Sequence, residues 1–125
     1  SGYHAFRMAP LAKNGLVYAV DIQTEMLMAI EKNKENSEIK NIDTILGTEK
    51  SVEIPKNSVD KILMVDVYHE FSFPVEMIAS VKSALKSNTV NALVNIPASK
   101  VKSLVEAKLA LVDNCNVLVA AALKP

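Results

Sequence analysis

Three short runs in this 125-residue chain place acids, hydroxyls and an imidazole directly behind apolar stretches. Leu16 to Val20 runs into Asp21. Ile42 to Leu46 runs into Gly47-Thr48-Glu49, and Ile62 to Val65 runs into Asp66-Val67-Tyr68-His69-Glu70. If each apolar stretch is a strand of a parallel sheet, its polar successor lies at the carboxyl end. That is where open α/β sheets bind ligands, near the switch in strand order. An ionised carboxylate is acceptor-only, and its two oxygens suit the vicinal hydroxyls of a ribose. Asp21 follows Gly2 by nineteen residues, close to the interval of about 20 between a dinucleotide-type glycine turn and its ribose-binding acid.

Each of these residues also has a plainer reading. Asp21 could simply end a strand and help cap a helix beginning at Thr24, and Asp66 is a strand-end acid of the same kind. His69 and Glu70 could form a general-base pair, but adjacent side chains rarely enter one site, and a solvated loop accounts for them as well. His4 reads as a packing or surface residue. Cys115 reads as a turn residue, since no base is placed near it. The methionines at 8, 26, 28, 64 and 77 read as core fillers. His69, Glu70 and Asp66 have no recognised metal-ligand spacing. Neither a Gly-x-Ser-x-Gly elbow nor a Walker loop occurs, which leaves hydrolase and NTPase chemistry without a motif.

The elements needed to position these groups alternate along the chain. A helix is expected over Gly2 to Leu11, with Tyr3 and Phe6 on its buried side. Asn14-Gly15 signals a turn before the first strand. Thr24 is expected to cap the next helix, with Glu25 in its first turn and Met26, Leu27, Ile30 and Met28 on its apolar face. Ser51 to Ser58, with Pro55 and Asn57, reads as a loop. Pro74 suits a helix start, followed by Met77, Ile78, Val81 and Leu85 at helical spacing. Asn91 to Ile96 is a fourth strand and Ser99 to Lys108 a helix. Leu109 to Val112 and Val117 to Leu123 are expected as terminal strands joined by a hairpin across Asp113 to Asn116. Strands alternating with helices predict a three-layer α/β sandwich, mainly parallel, closed by an antiparallel hairpin.

Composition narrows the function classes. Fourteen basic and fourteen acidic residues balance, so no positive field points to nucleic acid or an anionic membrane. The longest apolar run, Val117 to Leu123, is far short of a membrane span. One cysteine excludes an internal disulfide framework and fits a reducing, cytoplasmic setting. Glycine is scarce, at three residues, for a nucleotide-binding domain.

The order of the pieces is familiar. Gly2-Tyr3-His4, Val17-Tyr18-Ala19-Val20-Asp21, Leu46-Gly47-Thr48, Ile54 to Asp60 (Ile-Pro-Lys-Asn-Ser-Val-Asp) and Val65-Asp66-Val67-Tyr68-His69-Glu70-Phe71 follow one another at matching intervals. Together they resemble the class I S-adenosylmethionine-dependent methyltransferases, and among these the small-molecule enzymes of the ubiquinone/menaquinone-biosynthesis type. The likeness runs from Ser1 to about Lys86.

The resemblance implies a Rossmann-like fold and S-adenosylmethionine as cofactor. It makes Gly2 the last glycine of the cofactor turn, Asp21 the acceptor of the ribose hydroxyls and Ile22 a wall for the adenine. Thr48 would meet the adenine edge, and Asp66 would border the methionine portion. Tyr68 and Glu70 would line the acceptor, with His69 orienting or deprotonating it. The first strand and the start of the glycine turn would precede Ser1, making 1–125 one methyltransferase-like domain incomplete at its amino end. Ser87-Asn88-Thr89 stands where the family has paired glycines, and the link from Ile96 to Ser99 is short for a substrate lid. Two rivals follow from the same residues. A nicotinamide-dependent oxidoreductase would also use a strand-end acid. A catalytically inactive binding or assembly module would fit a sheet lacking a strand, and self-association is left open.

Overall fold

The computed structural model describes residues 2–65, 67–87, 93–96 and 117–122. Among these residues five strands form one sheet in the order β2-β1-β5-β3-β4: β1 is Val17–Asp21, β2 Ile42–Leu46, β3 Lys61–Val65, β4 Leu93–Ile96 and β5 Val117–Ala122. Every pairing is parallel. Helices α1 (Tyr3–Met8) and α2 (Thr24–Glu35) share one apolar cluster with Val17, Ala19, Ile42, Leu63 and Val65. Helix α3 (Pro74–Ala84) packs through Met77, Val81 and Ala84 into a second cluster with Val20, Ile62 and Met64. Successive residues of a strand face opposite sides, so the clusters lie on the two faces of the sheet and the layers are three. All four residues Ile62 to Val65 are buried, the continuous apolar run of a strand covered on both sides.

The expected C-terminal hairpin is corrected. β5 lies in the middle of the sheet, parallel to β1 through Val17↔Val117 and to β3 through Lys61↔Val117. Both its edges are therefore taken by parallel neighbours, which leaves no edge for an antiparallel partner. Its sequence suits that place: Val-Leu-Val-Ala-Ala-Ala carries no charge and no proline to interrupt a ladder. The companion strand Leu109 to Val112 and the helix Ser99 to Lys108 lie outside the described residues.

Helix details also differ from expectation. α1 stops at Met8, and its buried stripe is Ala5 and Met8, continued by Ala9 and Ala12. Tyr3 is 60% exposed, its ring lying under the Arg7 guanidinium at 4.4 Å. The small alanines let the helix approach the sheet closely, and the ring is left on the outside. Thr24 is the first residue of α2 rather than its cap. Gln23 holds the cap position and makes no side-chain cap bond.

Candidate functional site at the carboxyl ends of the strands

From β1 the chain moves outward to β2 through α2, and from β3 it moves outward to β4 through α3 on the other face. The order therefore reverses between β1 and β3, with β5 at the reversal. The crevice beyond the carboxyl ends at this point is the ligand position of open α/β sheets.

Asp21 occupies the tip of β1. It is buried, 5% exposed, and is the one polar residue among the described buried set. The Gln23 amide donates to its Oδ1 at 2.8 Å. Burial pushes its carboxyl above the ordinary range, opposed by the amide hydrogens of Gln23 and Ile22. The register of β1 against β5 shifts between Val20 and Asp21. Irregularities of this kind re-aim a side chain at a strand end. The neighbouring tip is tied to this one by the Gly47 amide, which donates to the Asp21 carbonyl at 2.9 Å. Ile22 follows, half-buried against the cluster that includes Val20 and Met64.

Gly2 reaches the same pole by a different route. Asn41, just ahead of β2, donates through Nδ2 to the carbonyls of Ala9 and Ala12 at 2.8 Å and of Gly15 at 3.3 Å. This clamp holds the end of α1 and the turn after it at the amino ends of the strands. The start of α1 consequently faces the carboxyl ends. Gly2 has φ +77°, and a Cβ there would lie 2.9 Å from Ile30 Cγ1 and 3.0 Å from the Phe6 ring. Both the left-handed backbone and the close approach demand glycine.

The remaining expected residues divide. Thr48 is exposed beyond β2, its hydroxyl accepting the Lys50 amide at 3.2 Å. Tyr68, 46% exposed, opens the short 3-10 turn Tyr68–Glu70 beyond β3 and stands edge-on to Phe71 at 5.7 Å. Glu70 is exposed on the same turn. Asp66 lies outside the described residues, and of His69 only the backbone, within that turn, is described. The structure thus ties the tips of β1 and β2 together directly. Gly2, Thr48 and Tyr68 stand on separate elements, at the start of α1, beyond β2 and beyond β3.

Several residues that matter here gave little signal in the sequence. Asn41 belongs to no motif and stands directly before the first residue of β2. Lys50 lies over the Phe73 ring at 4.5 Å, linking the loop after β2 to the start of α3. Half-buried His4 keeps a buried Nδ1 with no hydrogen-bond partner among the described residues. Its pKa is held below the ordinary value, first by burial and then by the Arg7 charge. Among the described residues no group of three or more His, Cys, Asp or Glu side chains is placed to hold a metal ion. No helix among them is long and apolar enough to cross a membrane.

Comparison with known proteins agrees with this arrangement. A family model described as a methyltransferase domain matches residues 1–121. No curated protein and no solved structure gives a match. With nearly the whole length matched, and a parallel α/β sheet whose switch point carries a buried acid beside a glycine-linked strand tip, the chain belongs to the methyltransferase-domain family, whose members typically use S-adenosylmethionine.

Proposed function

We propose that this protein transfers a methyl group from S-adenosylmethionine to a small-molecule acceptor, in the manner of the ubiquinone/menaquinone-type enzymes, and works in the cytoplasm. The observation that carries the reading is Asp21: a carboxylate buried at the switch point although burial disfavours its charge. A protein keeps such a group where its acceptors serve a ligand. Two features fit the cofactor. Asp21 has acceptor capacity beyond the amides of Gln23 and Ile22, enough for a ribose diol. The resemblance makes Gly2 the last glycine of the cofactor turn, and its left-handed backbone fits a turn of that kind.

The bound cofactor supplies a methyl group made electrophilic by its sulfonium, so the protein's contribution is alignment and exclusion of water. Gly2 would close the cofactor turn. Asp21 would accept the two ribose hydroxyls, Ile22 would cover one face of the adenine and Thr48 would meet its edge. Asp66 would border the methionine portion. Tyr68 and Glu70 would line the acceptor side, and His69 would orient the acceptor or take its proton.

Calorimetric titration with S-adenosylhomocysteine tests the reading. The native chain is expected to bind one equivalent. Asp21→Ala is expected to weaken binding by about 1–2 kcal/mol or more, roughly five- to thirtyfold, the scale of lost charge-assisted hydrogen bonds. Equal affinity in a folded Asp21→Ala variant removes Asp21 from the site. Absence of binding by the native chain shows that this 125-residue form is not itself a working enzyme.

A further inference from the structure

Among the described residues β2 is an outer strand of the sheet, and its backbone alternates in a readable way. The Val17 amide donates to the Asn41 carbonyl and the Gly47 amide donates to the Asp21 carbonyl. The amide and carbonyl of one strand residue point to the same side, so residues 41, 43, 45 and 47 turn theirs toward β1. Ile42, Thr44 and Leu46 therefore turn theirs outward, away from the sheet. The Lys34 ammonium donates to the Ile42 carbonyl, at the start of the strand. Among the described residues no hydrogen bond occupies the outward groups of Thr44 and Leu46. Exposed edges are commonly blunted by proline, a bulge or inward charge. β2, Ile-Asp-Thr-Ile-Leu, has no proline and pairs regularly with β1; its charged features are the exposed Asp43 and the Lys34 ammonium at its start.

Apolar surface accompanies this edge. Leu46 is 53% exposed and Met28 on α2 is 66% exposed. Between α2 and β2 lies an open groove of about 660 Å³, walled by Leu27, Met28 and Thr44 together with the charged Glu31, Lys32 and Glu35.

We propose that this edge pairs with the β2 of a second copy of the chain, antiparallel about a two-fold axis through Thr44. The strand is complementary to itself in that register. Thr44 faces Thr44 of the second copy and Ile42 faces Leu46, so all three outward residues become hydrogen-bonded pairs. Shifting the register by two residues either way loses one of them. The exposed Leu46 of each copy is brought to the seam, beside the Lys34 that caps the other copy's Ile42 carbonyl. The flanks match as well: Lys40 before the strand comes beside Thr48 and Glu49 after it. Lys34 can remain in place, because a carbonyl oxygen has two lone pairs. A five-residue edge is at the small end of specific interfaces, so association depends on concentration.

The register makes the proposal testable by cross-linking in a Cys115→Ser background. In a hydrogen-bonded antiparallel pair the facing Cα atoms are about 5.5 Å apart, inside the disulfide range of roughly 4.4–6.8 Å. The two Leu46 positions would be about 14 Å apart, from the rise per residue. Under mild oxidation Thr44→Cys is expected to give a disulfide-linked dimer, and Leu46→Cys none. Sedimentation of the native chain is expected to show mass rising from monomer to dimer with concentration. Equal cross-linking of both variants, cross-linking of neither, or a native mass that stays monomeric at every concentration overturns the proposal.

Discussion

The two flanks of the sheet are held by different means. On the β1–β2 side, hydrogen bonds from particular atoms position the chain: the Asn41 clamp on α1, the Gly47 amide on the Asp21 carbonyl, the Gln23 amide on the Asp21 carboxylate, and Lys34 on Ile42. On the β3–α3 side, apolar volume does the work. Ile62, Met64, Met77, Val59, Val67 and Val81 are each at most 1% exposed. Polar ties there run mostly through backbone at the end of α3, the amides of Asn57, Ser58 and Val59 donating to the Ser83 and Ala84 carbonyls, with the Val52 amide donating to the Ser80 hydroxyl and an ion pair between Lys86 and Asp60. The first flank carries Gly2 and Asp21, where a displacement of a few tenths of an ångström matters. The second is a wall, for which fit matters more than direction. Substitutions should therefore split by flank: stability alone on the β3 side, stability and cofactor binding together on the β1 side.

The largest effect is expected at Met77, which is fully buried on α3. Met77→Ala removes the centre of the second cluster and should cost about 2–5 kcal/mol of unfolding free energy. Urea unfolding followed by circular dichroism measures it. Affinity of the folded fraction for S-adenosylhomocysteine should be unchanged, and a loss of affinity would break the contrast between the flanks.

Asn41→Ala should cost less stability, about 2 kcal/mol, because it strips donors from partly buried carbonyls. It should lower affinity for S-adenosylhomocysteine as well, since α1 and Gly2 hang on that clamp. Asn41→Asp keeps the shape but cannot donate, and should do no better. Normal affinity in either variant would show that the position of α1 is set by Ala5 and Met8 packing instead.

How much of this was legible follows the same division. The strands β1 to β3, the helices on the two faces and the acid at the tip of β1 announce themselves through apolar runs and period, because burial selects residue types directly. The place of β5 does not, since an uncharged apolar run serves a hairpin or a central parallel strand equally well, and neighbours decide which. Tyr3 was expected inside because aromatics usually are, yet the alanines of α1 leave no depth for a ring, and Arg7 covers it instead. The Asn41 clamp joins residues 26 to 32 positions apart, a relation no local pattern encodes.

The smallest effect and the sharpest diagnostic is at Asp21. Its carboxyl is pushed above the ordinary value of 3.8 by burial. An acid whose pKa is higher folded than unfolded binds more protons in the fold, so stability falls as pH rises through that interval. The penalty is absent below the ordinary carboxylate range and fully present above the raised value. Asp21→Asn keeps the Oδ1 that accepts the Gln23 amide and removes the charge. It should therefore be more stable than the native chain at pH 7, and the advantage should vanish near pH 3. Urea midpoints at the two pH values measure this. The same variant should bind S-adenosylhomocysteine less well, because an amide offers the ribose hydroxyls one accepting atom in place of two. A gain in stability with a loss of binding identifies a residue held against the preference of the fold for the sake of the ligand. A loss of both would instead make Asp21 part of the frame, a cap for the turn at Gln23, and would move the β1 tip to the same side of the comparison as α3.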